Sequence, residues 1–328
     1  MTKQKRKNKK KSIAKKILIS FSLVLLVIVI ISGGYLIGTF SKMKNTEIDK
    51  DNLGIVEEEL GGYENADKIT NIALFGIDSL NGEAGRSDSI MVATIDPVHK
   101  KIKVTSIMRD SYVNIEGYGL DKINHAYAYG GPELAIKTIN ENFGLNIKNF
   151  ATVDFSSLPT IINLLGGIDI EITNEEIQYI NDYINSLNAL EGTASSNIYN
   201  PGVQHLDGIQ ALAYSRIRYT AGGDYERTQR HRTVLNALFN KILSSPMTSY
   251  PSLLNKLLPY VETSLTTTDV LSLATEVVGI GNNLEQDRFP RDGYGEGATI
   301  GGVYYLTFDI ETAKTQMREY IFNDVKTD

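Results

Sequence analysis

The sequence predicts an α/β sandwich set behind a single membrane-spanning segment. Three observations carry that reading. A basic amino terminus runs into a long uncharged apolar stretch, short β-like runs are followed by helical patterns, and the 328 residues include no cysteine. A chain of that length supports a core that needs no covalent staples, and strands mixed with helices pack as layers.

The amino terminus comes first. Residues 1–16, MTKQKRKNKKKSIAKK, hold nine Lys or Arg and no acid, and residues 17–40, ILISFSLVLLVIVIISGGYLIGTF, hold no charge at all. A run of that length, at about 1.5 Å per residue, spans a hydrocarbon layer of roughly 30 Å. A cleaved signal peptide has an apolar region of only about 7–15 residues and ends in a small-x-small site. Here the run is longer and no such site follows, so residues 17–40 are expected to be an uncleaved anchor. Basic residues collect on the cytoplasmic side of such anchors. Residues 1–16 are therefore expected inside and everything after residue 40 outside, with the protein in the cell membrane as a single-pass chain. The lack of cysteine suits an envelope whose proteins do not rely on disulfides. It also excludes thiolate zinc sites and cysteine nucleophiles, and the four histidines, His99, His125, His205 and His231, do not fall at the spacing of a paired metal site.

Residues 41–66 are polar and acidic with scattered glycine and are expected to form a stalk of little fixed structure. A single domain is expected over 67–328. It opens with β-like runs IALFGI (72–77), IMVATI (90–95) and KIKVTSI (101–107), the last two joined by an Asp-Pro turn. Helical patterns follow in PELAIKTINENF (132–143) and SSLPTIINLLG (156–166), then a strand GIDIEI (167–172). Residues 173–200 are rich in Asn, Ile and Tyr and are expected to leave the core as an excursion that could serve as a lid. Further helices are expected at 208–216, 227–243, 252–259, 268–280 and 311–322, with an extended GGVYYLTF before the last.

An antiparallel meander of the first three strands would bring Asp78, Arg86, Asp88, Arg109 and Asp110 to one edge of the sheet. Isolated surface ion pairs contribute only about 0–1 kcal/mol, but here several charges converge from separate strand ends. Carboxylates beside guanidiniums are the inventory for holding Mg²⁺ on a phosphate group, because Mg²⁺ shares oxygen ligands between one or two carboxylates and the substrate. The stretch AYSRIRYTAGGDYERTQRHR, residues 213–232, adds five of the chain's eleven arginines to a protein of net charge −6. Val234, Leu235, Leu238 and Ile242 define the apolar stripe of its second helix, which places Arg227, Arg230 and His231 on the inward side and Arg232 in solvent. Inward arginines in the first turn of a helix are disfavoured by desolvation and by the helix dipole. An anion is expected beside them: either Asp224 and Glu226, which can also cap the helix, or a bound phosphate. Arg216 and Arg218, two apart in an extended link, point the same way and can aim at one target.

The motifs GIDS, GRSDSIMV, SIMRDSYV, DKINHAYAYGG, GVQHLDGIQALAYSRIRY and GDYERTQRHR stand in that order. With them the chain resembles the LytR-CpsA-Psr family of Gram-positive envelope proteins over nearly its whole length. The resemblance implies an α/β/α sandwich with a central mixed sheet and an apolar pocket for a polyprenyl tail. It implies a phosphotransferase that moves an anionic glycopolymer, teichoic acid, capsule or similar, from a polyprenyl-pyrophosphate carrier onto peptidoglycan. Carried over by motif, the metal-binding acids fall on Asp78 and Asp88, with Mg²⁺ as the cofactor. The pyrophosphate-binding arginines fall on Arg86, Arg109, Arg216, Arg218 and Arg227, and Lys122 is a further candidate. Of these, Asp88, Arg109, Arg216 and Arg218 are the expected catalytic set, while Arg86, Lys122, Arg227, Arg230 and Asp224 are expected to bind substrate. Asp88, Asp110 and Asp224 are alternative general bases. The family commonly has Pro where Met108 stands, which bears on loop rigidity, and Gln where His231 stands.

Two other readings use the same anionic site: a hydrolase with water as acceptor, and a non-catalytic receptor of anionic polymer. Nucleic acid is not expected as a partner, because the chain beyond residue 16 has 24 basic against 39 acidic residues and lacks the broad basic face that DNA favours.

Overall fold

The computed structural model describes residues 44–78, 85–217, 230, 233–234, 237–238, 240–242, 244–246, 249–281 and 283–326. The expected anchor at 17–40 lies outside them. Among the described residues no helix is long and apolar enough to cross a membrane.

In chain order the elements are β1 (Lys44–Asn45), α1 (Glu57–Leu60), β2 (Thr70–Asp78), β3 (Arg86–Asp96), β4 (Lys101–Ile107), β5 (Tyr112–Ile115), β6 (Gly119–Lys122), α2 (His125–Phe143), β7 (Asn149–Asp154), α3 (Leu158–Leu164) and β8 (Ile168–Ile172). They continue with α4 (Asn174–Glu191), β9 (Gly202–Leu206), α5 (Gly208–Arg216), α6 (Tyr250–Leu257), β10 (Val261–Thr263), α7 (Thr267–Ile280), β11 (Leu284–Phe289), β12 (Gly295–Ile300), β13 (Val303–Phe308) and α8 (Ile310–Phe322). A further helical segment includes Arg230, Val234, Leu238 and Ile242.

Seven strands form a mixed sheet in the order β1-β10-β7-β2-β3-β4-β11. The expected antiparallel meander of β2, β3 and β4 is its centre, and β7 and β11 join in parallel on either side. Alternation along the strands sorts their residues onto two faces. One face carries Ala73, Phe75, Ile90, Val92, Ile107 and Phe150, which pack into a continuous core with α2 and α8. The opposite face receives α7 at one end, through Val270, Leu273 and Val277 against Ile72 and Leu74. At its other end it receives a second core built from α3, α4, α5 and the helical segment of Val234 and Leu238.

Two expectations fail in instructive ways. The stalk expected over 41–66 is folded onto the domain from Lys44 onward: β1 pairs with β10, and Leu53 and Leu60 enter the core. The few apolar residues of a polar stretch were enough to dock it, and Asn140 Nδ2 donates to the Leu53 carbonyl at 2.8 Å. The excursion expected at 173–200 is in large part helix α4, closed at its start by a reciprocal capping box between Thr173 and Glu176. Its Ile180, Ile184 and Leu187 recur at helical spacing and are buried in the second core. The strand at 168–172 pairs with β9 in a separate ribbon and not with the central sheet.

The helix expected from Pro132 is preceded by an extra turn. His125 to Tyr129 are helical, Gly130 and Gly131 break the helix (Gly131 at φ 64°), and Pro132 restarts it. A left-handed residue followed by proline needs glycine there.

Candidate active site

The register of β2 against β3 steps from Gly76 opposite Ser89 to Ile77 opposite Ser87. Asp88 is thus the extra residue of a β-bulge, the device by which a sheet re-aims one side chain. Beyond the bulge Asp78 stands opposite Arg86 in the ladder. β4 ends beside them at Ile107, and the following loop is pinned by Met108 N–H donating to the Phe289 carbonyl at 3.0 Å and Leu306 N–H donating to the Asp110 carbonyl at 2.9 Å.

The side chains at this edge form one row of alternating charge. Arg109 Nη1 lies 2.8 Å from Asp88 Oδ1, Arg109 Nε lies 3.4 Å from Asp110 Oδ2, and Lys122 Nζ lies 2.6 Å from Asp110 Oδ1. Arg109 is buried, Asp88 and Lys122 only partly so. Ion pairs held at low exposure are worth more than surface pairs, and they fix guanidinium and carboxylate in place before a ligand arrives. Asn124 Nδ2 also donates to Asp88 Oδ1, at 3.5 Å. Arg86 is exposed at the same edge.

Arg216 is the last residue of α5 and is exposed, while its neighbour Ile217 is fully buried. Arg230 is buried, as its helical phase predicts. The carboxylate beside it belongs to Glu176 of α4: Arg230 Nε donates to Glu176 Oε1 at 2.9 Å, and Arg230 Nη1 donates to the Ile217 carbonyl at 3.2 Å. The buried ion pair is thereby tied to the backbone immediately after Arg216. Arg218, Asp224, Arg227 and His231 lie outside the described residues, as does the loop at 79–84, and of Asp78 only the backbone is described.

On the face of the sheet formed by β2, β3 and β7 lies an apolar cavity of about 260 Å³. Leu74 and Gly76 of β2, Met91 of β3 and Ala151 and Val153 of β7 form its floor, and Leu158, Ile161, Leu238, Ile242 and Leu257 form its walls. Gly76 is closely packed there, since a Cβ would stand 3.1 Å from both the Phe155 ring and the Ser89 Cβ. Leu74 and Gly76 line the cavity, and two residues further along the same strand Asp78 pairs with Arg86 at the charged edge.

The chain matches the LytR_cpsA_psr family over residues 32–320. It belongs to that family. A polyisoprenyl-teichoic acid–peptidoglycan teichoic acid transferase TagU of Bacillus mycoides (strain KBAB4) is 31% identical over 303 residues, covering 89% of this chain and 92% of the relative. A solved structure described as TagT bound to LI-WTA superposes with a TM-score of 0.60 at 26% identity, covering 84% of this chain and 94% of that one. Another, a LytR-CPS2A-psr family protein YwtF (TagT) with bound octaprenyl pyrophosphate lipid, superposes with a TM-score of 0.57 at 26% identity, covering 79% and 91%.

For a LytR_cpsA_psr member, the residues that sequence reasoning missed are Asn124, Glu176 and the cavity lining. Asn124 sits inside the motif DKINHAYAYGG, which was a visible signal. Glu176 was visible only as the third helical residue of a capping box, with nothing to show that its second oxygen faces Arg230.

Proposed function

We propose that this chain transfers an anionic glycopolymer of the teichoic acid type from a polyprenyl-pyrophosphate carrier to peptidoglycan. The observation that carries the proposal is that the same strands, β2 and β3, line an apolar cavity and end, with β4, in a row of fixed charges. A lipid pyrophosphate has those two halves in that order. The polyprenyl chain enters the cavity, and the pyrophosphate meets Arg86, Arg109 and Lys122 together with Arg216 of α5; Arg218, Asp224 and Arg227, expected from their motifs to bind it as well, lie outside the described residues. Arg230 acts through the backbone by holding Ile217 between Arg216 and Arg218.

The acceptor hydroxyl oxygen forms a new bond to the phosphorus that carries the polymer, and the bridging P–O bond breaks. Polyprenyl phosphate leaves with the electron pair. Arg109 and Arg216 stabilise the charge that builds on the phosphoryl oxygens and on the leaving group. Asp88, aimed by the bulge and held by Arg109 and Asn124, takes the hydroxyl proton, with Asp110 next in the row. Asp88, and Asp78 by its motif, would hold Mg²⁺ through carboxylate oxygens, the hard donors that ion takes. That ion would neutralise charge on the pyrophosphate oxygens.

The substrate lies in the membrane, so the domain works at its outer surface. Residues 17–40 anchor it there and residues 1–16 remain in the cytoplasm. Product analysis with the full chain, a lipid-linked polymer and a soluble glycan strand tests the reading. Polymer attached to the strand together with released polyprenyl phosphate is expected. Polymer released free into solution would instead establish hydrolysis, and donor left intact would establish a receptor.

A further inference from the structure

A cluster of tyrosines stands beside the charged row, on the side away from the cavity. Tyr118, in the turn between β5 and β6, stacks on Tyr129 in the first turn of α2, with ring centroids 4.2 Å apart and planes 11° apart. Tyr304 and Tyr305 of β13 lie 5.9 and 5.7 Å from Lys122 Nζ. Tyr118 is 55% exposed, Tyr304 49% and Tyr129 41%. Exposed aromatic clusters of this kind mark binding surfaces.

One carboxylate holds two of the rings directly, Tyr129 and Tyr305. Asp121 Oδ2 accepts from Tyr129 Oη at 2.7 Å and meets His125 Nδ1 at 2.8 Å. Asp121 Oδ1 accepts from the Lys122 N–H at 2.8 Å and from Tyr305 Oη at 3.4 Å. Burial by itself would raise the Asp121 carboxyl; the bonds from His125, Tyr129 and the Lys122 N–H outweigh it, and the net shift is downward. An ionised hub in this position fixes its aromatic surround before any ligand binds.

The position of the cluster says what it is for. The cavity lies on one face of the sheet. β5, β6 and α2 belong to the other, where Val113, Ile115, Ile123 and Tyr127 join the core. In phosphoryl transfer the attacking and leaving oxygens are roughly in line. A polyprenyl phosphate that departs toward the cavity therefore requires its attacker to come from the tyrosine side. The attacker under the proposed function is a sugar hydroxyl. Pyranose rings offer a face of C–H groups that packs on the electron-rich face of a tyrosine, and a rim of hydroxyls suited to carboxylate and phenol oxygens.

We infer that Tyr118, Tyr129, Tyr304 and Tyr305, organised by Asp121 and His125, form the subsite that binds the acceptor glycan strand. This inference rests on the proposed transfer reaction. Its test uses the full-length chain in detergent and a soluble, uncrosslinked strand of alternating β-1,4-linked N-acetylglucosamine and N-acetylmuramic acid.

Calorimetry without donor reads the subsite apart from the reaction. Tyr118→Ala and Tyr304→Ala should each weaken strand binding about 10-fold, and Tyr118→Leu, which keeps apolar bulk without the flat face, should do the same. In transfer assays the KM for the strand should rise by a similar factor while the KM for the lipid-linked donor stays unchanged. Wild-type strand affinity in correctly folded variants would overturn the inference, as would a rise in donor KM alone or no strand binding by the wild type at millimolar concentration. A wild type that binds the strand through these tyrosines yet transfers no polymer would sink the proposed function and leave the subsite standing.

Discussion

The two faces of the central sheet are made by the same strands and end in opposite states. On one, β2 contributes Ala73 and Phe75 and β7 contributes Phe150, and with Phe143 and Tyr320 from the covering helices they are buried in one core. On the other, β2 contributes Leu74 and Gly76 and β7 contributes Ala151 and Val153, and the covering helices stand off over a cavity of about 260 Å³. The difference lies in residue size at alternating positions. A sheet can build its stability on one side and reserve space on the other, and a polar partner set at the strand ends then turns that space into a site.

The largest expected effect falls on the closed face. Phe150 is fully buried, and Phe150→Ala should cost about 3–5 kcal/mol of unfolding free energy in urea titration, through lost transfer energy and the void left behind. A loss below about 1 kcal/mol would mean that this face is not the stabilising one.

The next effect belongs to the edge and should leave stability alone. Arg216 is exposed, so Arg216→Ala should preserve the unfolding curve while lowering transfer activity by about 10 to 1,000-fold, corresponding to roughly 1.4–4 kcal/mol of transition-state stabilisation. Full activity would return Arg216 to an ordinary surface. Arg230→Ala should differ from it by losing stability as well, since Glu176 would be left buried without its partner.

The smallest effect is pH dependent and lies on the β8–β9 ribbon. His205 Nδ1 is 2.6 Å from Asp169 Oδ1 and its Nε2 is 2.7 Å from the Gly166 carbonyl. The Asp169 carboxylate first, and then the carbonyl, raise the histidine above its usual value. A raised folded-state pKa stabilises fully below the unfolded value of about 6.5, and that contribution fades as pH rises through the folded one. The side chain is 55% exposed, so the term is discounted to about 0–1 kcal/mol. The stability difference between wild type and His205→Gln should shrink from about pH 6 to pH 8, and a difference that grows would reverse the assignment.

Much of this was legible in the residues. The three-strand meander followed from short β-like runs and an Asp-Pro turn, and with it the convergence of Asp88, Arg109 and Asp110. Arg230 was placed inward by its phase with Val234 and Leu238. The bulge that aims Asp88 was not legible, because a single extra residue leaves no pattern in a run such as GRSDSIMV. Nor was the cavity: Leu74, Met91, Val153 and Ile161 read as core, and only the packing of helices over Gly76 and Ala151 separates a filled interior from an open one. The docking of residues 44–66 escaped for the reverse reason, since two buried leucines in an acidic stretch carry little periodic signal.

The central claim is that the open face holds the polyprenyl chain. The most direct measurement is native mass spectrometry of the full chain extracted from membranes in mild detergent, comparing wild type with Ala151→Phe, which fills the floor of the cavity without touching the charged edge. The account predicts a polyprenyl phosphate or pyrophosphate adduct on the wild type, largely lost in Ala151→Phe, while the closed face keeps that variant folded. Equal lipid occupancy in both proteins, or none on the wild type with lipid added in excess, would contradict it.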